Sequence, residues 1–219
     1  LGRKFILQPF TSQTPASTLT GYMDANGNYV KSPFCNAFTD GLVFIGDEFD
    51  RGTARVTTVT NSAISNGVVT FPNGETVTAH KNFAAIATQN TYGTGSVGAY
   101  VGASQQDASV LDRFVFLWIP LDEGLEASLV GVHDVPSPKC DLTEGGRFAN
   151  VREILELIQR FRRIVEKRSI LNFEVGQRTT IFACAMHKAG FGKRWILECA
   201  LQRYMPLEQW KNISAELSK

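Results

Sequence analysis

The sequence predicts an α/β domain with a parallel sheet core, followed by a small all-α domain. Continuous apolar runs at residues 42–45 and 83–88 each end in polar side chains, as strands buried on both faces of a parallel sheet do. Later in the chain the apolar residues recur at helical spacing instead. We therefore expect the α/β core to span residues 1–135 and the helical domain to span residues 147–219.

Composition and charge limit the class of protein. With 219 residues, 43% of them hydrophobic, the chain can bury the core of one domain and a small appendage. Its 22 basic and 21 acidic residues exclude a global field that would recruit nucleic acid or an acidic membrane. No apolar run approaches the roughly 20 residues of a membrane span, and no signal-peptide core follows the N-terminus. We expect a cytoplasmic protein without membrane contact.

The first half of the chain contains further strands and two hairpins. Residues 5–7 form a short apolar strand, and an Asn-Gly pair at residues 26–27 lies between β-prone segments, which indicates a hairpin. Residues 56–64 can form a helix, and a second hairpin turns at residues 73–74. These hairpins are expected as inserts in the α/β core, whose strand ends gather polar residues at one edge of the sheet.

A further buried strand is predicted at residues 115–119, five consecutive apolar residues that Pro120 brings to an end. A glycine-rich loop at residues 92–102 precedes it. The prolines and glycines of residues 135–146 are typical of a linker.

Helical periodicity dominates the last third of the chain. It predicts helices at residues 151–168, 179–188 and 194–204. The first of these carries a group of basic residues: Arg160, Arg162, Arg163, Lys167 and Arg168. A nucleic-acid motor is therefore one alternative, although the alternation of these residues with glutamates favours a solvated helix face.

Two carboxylates, Asp47 and Glu48, close the apolar run at residues 42–45. Adjacent residues at a strand end point to different sides. One carboxylate can therefore hold Mg²⁺ while the next positions or polarises an attacking water. The pair resembles a Walker B motif.

Three other residues are candidates for contact with a nucleotide. Asn90 follows the next buried run, where its amide can hydrogen-bond a γ-phosphate and the lytic water. Arg113 precedes the run at residues 115–119 and is placed like an arginine finger, with a weak local salt bridge to Asp112 as the alternative. Arg178, at the start of a helix, can contact the γ-phosphate in cis or simply be solvated.

Three segments together resemble a known family: DGLVFIGDEFDR at residues 40–51, ATQNT at residues 87–91 and LDRF at residues 111–114. Their order and spacing are similar to those of AAA+ ATPases of the MoxR, cobaltochelatase-subunit and dynein-related type. The resemblance covers roughly residues 5–130 and is looser beyond them. It implies a P-loop NTPase-like AAA+ core with β-hairpin inserts, followed by a helical lid.

The resemblance also implies function. It implies ATP and Mg²⁺ as cofactors, Asp47 as the metal ligand, Glu48 as the catalytic carboxylate and Asn90 as sensor 1. Arg113 would be the arginine finger and Arg178 the sensor-2 residue. The expected assembly is a homo-hexameric ring, with both hairpins facing its pore. It would remodel a partner protein, such as one with a von Willebrand-type domain, or assist a chelatase subunit.

One motif of that family is missing from the sequence. No G-x-x-x-x-G-K-[ST] string occurs, and the nearest match, GFGKR at residues 190–194, follows Asp47 instead of preceding it. We expect the core to be incomplete at its N-terminus, with the P-loop upstream of residue 1, and this chain alone to be inactive. The alternatives are a natural pseudo-ATPase and a non-catalytic AAA+-shaped assembly or interaction module.

Overall fold

The computed structural model describes residues 2–97, 100–133, 146–170, 173–203 and 205–217. The chain forms two compact units, Leu1–Leu117 and Trp118–Lys219. Among the residues described, no helix is both long and apolar enough to cross a membrane. The linker predicted at residues 135–146 lies outside the described residues, apart from Gly146.

The first unit combines short strands and short helices. Its strands are, in chain order, β1 (Phe5–Pro9), β2 (Tyr22–Met23), β3 (Tyr29–Val30), β4 (Val43–Asp47), β5 (Val68–Thr70), β6 (Thr76–Thr78) and β7 (Ala84–Ala87). Its helices are α1 (Ser17–Thr20), α2 (Pro33–Asp40), α3 (Ala54–Thr57), α4 (Thr60–Asn66) and α5 (Ala108–Leu111), with a 3₁₀ turn at Phe49–Arg51.

A parallel sheet with the strand order β1-β4-β7 forms the centre of this unit. Pro9 pairs with Asp47, and Gly46 pairs with Ala87, so the carboxyl ends of all three strands lie at the same edge. The strands predicted at residues 5–7, 42–45 and 83–88 are confirmed as strands. The burial predicted for residues 83–88 is wrong, because β7 is an edge strand and its Ile86 is 50% exposed.

Both predicted hairpins are present as antiparallel pairs, β2 with β3 and β5 with β6. In the first, the Asp24 carboxylate accepts hydrogen bonds from the backbone N–H groups of Asn26 and Asn28 at 2.9 and 2.7 Å. Gly27 and Gly74 have positive φ angles of 80° and 82°, which glycine adopts without strain. The Asn-Gly pairs therefore turn the chain as their sequence indicates.

Helix α2 covers one face of the sheet. Ser32 caps its N-terminus by accepting a hydrogen bond from the backbone N–H of Cys35 at 3.0 Å, and Pro33 occupies the first turn. Its buried Phe34 packs edge-to-face on Phe44 of β4, with 5.0 Å between the ring centroids. Aromatic packing of this kind anchors β4 at the centre of the unit.

The prediction of a buried strand at residues 115–119 is wrong. Val115 is 91% exposed and Leu117 is 82% exposed, and the segment has no strand geometry. A buried strand requires a hydrogen-bonded neighbour and a packed face. No strand of the described residues pairs with this segment, so its apolar composition alone does not make it one.

The helix predicted at residues 56–64 is divided into the short helices α3 and α4. The Thr57 hydroxyl contacts the backbone carbonyls of Thr53 and Ala54 and bonds the Gln106 side chain at 2.8 Å. Threonine hydroxyls that compete for backbone groups in this way weaken helices.

The second unit is helical, as the periodicity predicts. Its helices are α6 (Glu123–Leu129), α7 (Val151–Lys167), α8 (Gln177–Lys188), α9 (Lys193–Leu197) and α10 (Leu207–Leu217), with a π-helical turn at Glu198–Gln202. Asn150 caps α7 by accepting a hydrogen bond from the backbone N–H of Glu153 at 3.0 Å. The apolar face of α7 forms the centre of the core, where Ile154, Leu157, Ile158 and Phe161 are fully buried.

A buried ion pair joins three helices of this unit. The Glu126 carboxylate of α6 accepts hydrogen bonds from Arg162 of α7 at 2.7 Å and from the Thr180 hydroxyl of α8 at 2.5 Å. Burial raises the pKa of Glu126, but these hydrogen bonds outweigh it and hold the pKa below its usual value. Helix α6 belongs to this unit, since the compact units divide between Leu117 and Trp118. The domain bounds 1–135 and 147–219 stay a prediction.

Replacing Glu126 with Gln should destabilise the second unit by about 3 kcal/mol, since it leaves the Arg162 guanidinium buried without its charge partner. The three tryptophans lie in this unit, so urea unfolding followed by tryptophan fluorescence measures the change. Arg163→Met is the control, because its partner Glu123 and Arg163 itself are exposed, and it should cost only about 0–1 kcal/mol. Equal losses of stability in the two variants would contradict the greater importance of the buried Glu126–Arg162 pair.

Candidate functional site

The carboxyl ends of β4 and β7 bring candidate residues from two distant parts of the chain together. Asp47 is the last residue of β4, and Thr88 follows β7 directly. The parallel register continues past the strands, since the backbone N–H of Thr88 donates to the carbonyl of Gly46 at 2.9 Å. The predicted carboxylates therefore lie beside the segment that carries Asn90.

Thr88 fixes both the Asp47 carboxylate and the backbone of Glu48. Its hydroxyl donates to Asp47 Oδ1 at 2.6 Å and accepts a hydrogen bond from the backbone N–H of Glu48 at 3.1 Å. Its carbonyl accepts from the backbone N–H of Phe49 at 2.9 Å. One threonine thus uses its hydroxyl in both directions to hold two adjacent acidic residues in place.

Glu48 has an unusual backbone conformation. Its φ and ψ angles of 50° and 43° lie in the left-handed region, where a residue with a Cβ is strained. The conformation turns the chain from β4 into the 3₁₀ turn at Phe49–Arg51. The Glu48 carboxylate lies 3.1 Å from Arg51 Nε, and both side chains are about half exposed, so the pair is easily broken.

Asn90 lies in a turn that the buried carboxylate of Asp50 holds. Asp50 Oδ2 accepts hydrogen bonds from the backbone N–H groups of Asn90 and Thr91 at 3.2 and 3.0 Å, and from the Thr91 hydroxyl at 2.9 Å. Asn90 itself is exposed. The turn therefore presents the Asn90 side chain to solvent from a fixed backbone.

A cleft of about 180 Å³ opens beside this turn. It is lined by Asp50, Arg51, Asn90 and residues 100–103. Small-molecule sites usually enclose about 300–1,000 Å³, so the cleft is smaller than a complete nucleotide pocket. The described residues of this unit therefore form one side of such a pocket at most.

Arg113 bonds two serines of the first unit. Its guanidinium donates to the Ser65 hydroxyl of α4 and to the carbonyl of Ser109 in α5. The ion pairs of the described residues do not include one with Asp112, which was the alternative for Arg113, and none of them joins Arg113 to Asp47 or Glu48.

Arg178 lies in the second unit. It is the second residue of α8 and is exposed. The start of a helix predicted there is confirmed, and the sensor-2 role stays a prediction.

The basic face predicted on α7 is largely neutralised. Arg162 pairs with Glu126, Arg163 with Glu123 at 2.7 Å, and Arg168 with Glu216 at 2.6 Å. Paired guanidinium groups have less charge available for phosphates. The pairing weakens the case for a nucleic-acid motor.

Asp47 suits a metal that arrives with a nucleotide. In the described part of the chain, no three His, Cys, Asp or Glu side chains form a group that could hold a metal ion. Mg²⁺ usually takes only one or two carboxylates from the protein and completes its shell with phosphates and water. Asp47 is only partly buried, and Thr88 orients it through one oxygen, so the residue fits that mode.

Comparison with known proteins decides the family. A family model described as the AAA domain of the dynein-related subfamily matches residues 1–114, more than half of the chain. The chain belongs to this AAA family. The predicted AAA+ fold class is confirmed, because the parallel sheet and its helices agree with a P-loop NTPase fold of the AAA type.

Two further comparisons add little to the AAA assignment. A search of curated proteins found no match. Among solved structures, the chain is similar to a protein of Cytophaga hutchinsonii described as a "putative ATPase", with 17% identity and a TM-score of 0.42. The match covers 92% of this chain and 77% of that one. The family places the chain among AAA ATPase domains, which bind nucleotides.

Two residues of this AAA site were missed from the sequence. Thr88 lies inside the ATQNT motif and Asp50 inside the DGLVFIGDEFDR motif, but the sequence alone predicts a role for neither. The position of Thr88 at the end of the strand next to Asp47 would have indicated a cross-strand contact. Asp50 would have been harder to find, since an acidic residue after a strand usually indicates an exposed turn.

Replacing Thr88 with Val should loosen the ends of β4 and β7. The change removes the hydroxyl that bonds Asp47 and Glu48, and we expect a loss of about 1–2 kcal/mol in local stability. Amide hydrogen exchange of these strands measures it. Thr70→Val is the control, because that hydroxyl bonds an exposed threonine within a hairpin. If both variants leave exchange at β4 unchanged, Thr88 does not fix the site.

Proposed function

We propose that this chain supplies the hydrolysis half of an AAA+ ring ATPase that remodels a partner protein or assists metal chelation, as MoxR and cobaltochelatase-type proteins do. One observation carries the proposal. Asp47 and Glu48 end the central strand of a parallel sheet, held by Thr88 of the neighbouring strand, in a chain of the AAA family. Two carboxylates beside the Asn90 turn support a role in nucleotide hydrolysis.

The carboxylates have different tasks in this proposal. Asp47 would hold Mg²⁺, mostly through water, and the ion when bound neutralises charge on the phosphates. Glu48 orients and polarises the attacking water, and its weak pair with Arg51 leaves it free to do so. Asn90, exposed on its fixed turn, donates its amide to the γ-phosphate and the water.

The two arginines and the assembly extend the proposal. Arg113 bonds Ser65 and Ser109, and the described residues show no ion pair between it and Asp47 or Glu48 of the same chain. This supports a role as a finger toward the nucleotide of a neighbouring subunit in a homo-hexamer. Arg178 would contact the γ-phosphate in cis as sensor 2. The partner would be a protein with a von Willebrand-type domain or a chelatase subunit, approached through the β2–β3 and β5–β6 hairpins.

Replacing Glu48 with Gln tests the catalytic assignment. In the full-length protein, ATP turnover should fall at least about 100-fold while nucleotide affinity is retained, because the base is lost and the binding groups are not. Asp40→Asn is the control, since Asp40 is exposed at the end of α2 in the same unit and lies outside both hairpins. Unchanged turnover in Glu48→Gln would instead favour a non-catalytic assembly module.

The chain alone should bind Mg-ATP very weakly. Its sequence contains no G-x-x-x-x-G-K-[ST] string, and that loop supplies the backbone N–H groups and the lysine that hold the phosphates. Isothermal titration calorimetry of the 219-residue chain with Mg-ATP measures the affinity. Micromolar binding would contradict the prediction and show that the described residues suffice.

A further inference from the structure

We propose that Asp50 is a positioning residue for ATP hydrolysis, which acts by fixing the backbone of Asn90. The inference rests on the proposed function, because it takes Asn90 as the residue that contacts the γ-phosphate. Asp50 lines the cleft, but its Oδ2 atom bonds the neighbouring turn, and its buried Oδ1 atom has no hydrogen-bond partner among the described residues. In this proposal Asn90, and not Asp50, contacts the nucleotide.

The Asp50 side chain bonds a single turn. It is 1% exposed, and two backbone N–H groups and one hydroxyl, all from Asn90 and Thr91, converge on its Oδ2. Burying a carboxylate is costly unless donors surround it, and hydrogen bonds to a charged acceptor are the stronger kind. Arg51, the next residue in the chain, forms an ion pair with Glu48 at 3.1 Å.

The Asp50 backbone bonds the segment that leads to α5. Its carbonyl accepts a hydrogen bond from the backbone N–H of Ser104 at 2.7 Å. The buried Gln106 extends this contact, since its side chain donates to the carbonyl of Gly52 at 2.8 Å and its backbone N–H donates to Gly93 at 2.9 Å. Asp50 thus joins the chain after Glu48 to two separate loops.

This arrangement couples the catalytic carboxylate to the Asn90 turn. Glu48 immediately precedes the 3₁₀ turn that contains Asp50, and the backbone N–H of Asn90 donates to Asp50. We therefore expect a displacement of this turn to shift Asn90 as well. Catalysis depends on such placement, because a small displacement of a catalytic group lowers the reaction rate strongly.

A double-mutant cycle tests the proposal in the full-length protein. Asp50→Asn keeps the shape but replaces the charged acceptor, so kcat should fall about tenfold with KM changed less than about twofold. In an Asn90→Ala background, Asp50→Asn should lower kcat little further, because the residue it acts through is gone. Asp40→Asn is the control, since Asp40 is exposed and its carboxylate accepts a hydrogen bond from the neighbouring Thr39 hydroxyl.

If Asp50→Asn lowers kcat by the same factor with and without Asn90→Ala, the two residues act independently and the proposal is overturned. A change in KM without a change in kcat would also overturn it. Both results are distinct from failure of the proposed function, which Glu48→Gln reports on its own. If the wild-type protein hydrolyses no ATP, the proposed function fails and the positioning role fails with it.

Hydrogen exchange separates positioning from general destabilisation. In Asp50→Asn, the amides of Asn90 and Thr91 should exchange about tenfold faster than in wild type, while those of β4 keep their protection. Equal acceleration in β4 and the turn would show that the variant loosens the whole unit and would overturn the proposal. Unchanged exchange at residues 90–91 would overturn it as well.

Discussion

The hydrogen-bonded pairing of β4 with β7 determines where the candidate groups of the first unit lie. Parallel strands in this register end at the same edge, so residues about 40 positions apart in sequence come within hydrogen-bond distance. Thr88 then uses that proximity to hold Asp47 and Glu48, and Asp50 holds the turn beyond it. If the register shifted by one residue, these side chains would face the opposite side of the sheet. The site therefore depends on the sheet more than on any loop.

Much of the fold followed from local patterns in the sequence. Apolar runs identified β1, β4 and β7, Asn-Gly pairs identified both hairpins, and helical spacing identified α7. The segment at residues 115–119 shows why such patterns fail. Its apolarity matches that of a buried strand, but burial depends on a neighbouring strand, which local sequence does not encode. The contact of Glu126 with Arg162 is likewise set by tertiary packing, since the two residues are 36 positions apart in the chain.

The candidate chemical groups of the site could be predicted from the sequence, but the residues that hold those groups in position could not. Acidic and amide residues after apolar runs indicated Asp47, Glu48 and Asn90, because strand ends present polar groups to ligands. The residues that hold them, Thr88 and Asp50, have no sequence pattern of their own. Their roles come from hydrogen bonds across long stretches of chain, which only the folded structure specifies. Whether Arg113 and Arg178 act on a nucleotide stays a prediction.

At Glu48, the residue that the fold would favour differs from the residue that the proposed reaction requires, because its backbone is left-handed. Glycine adopts that conformation without strain, so a glycine at this position would relax the turn after β4. It would also remove the carboxylate on which the proposed hydrolysis depends. Stability alone would therefore favour the loss of this side chain, whereas the proposed hydrolysis requires it.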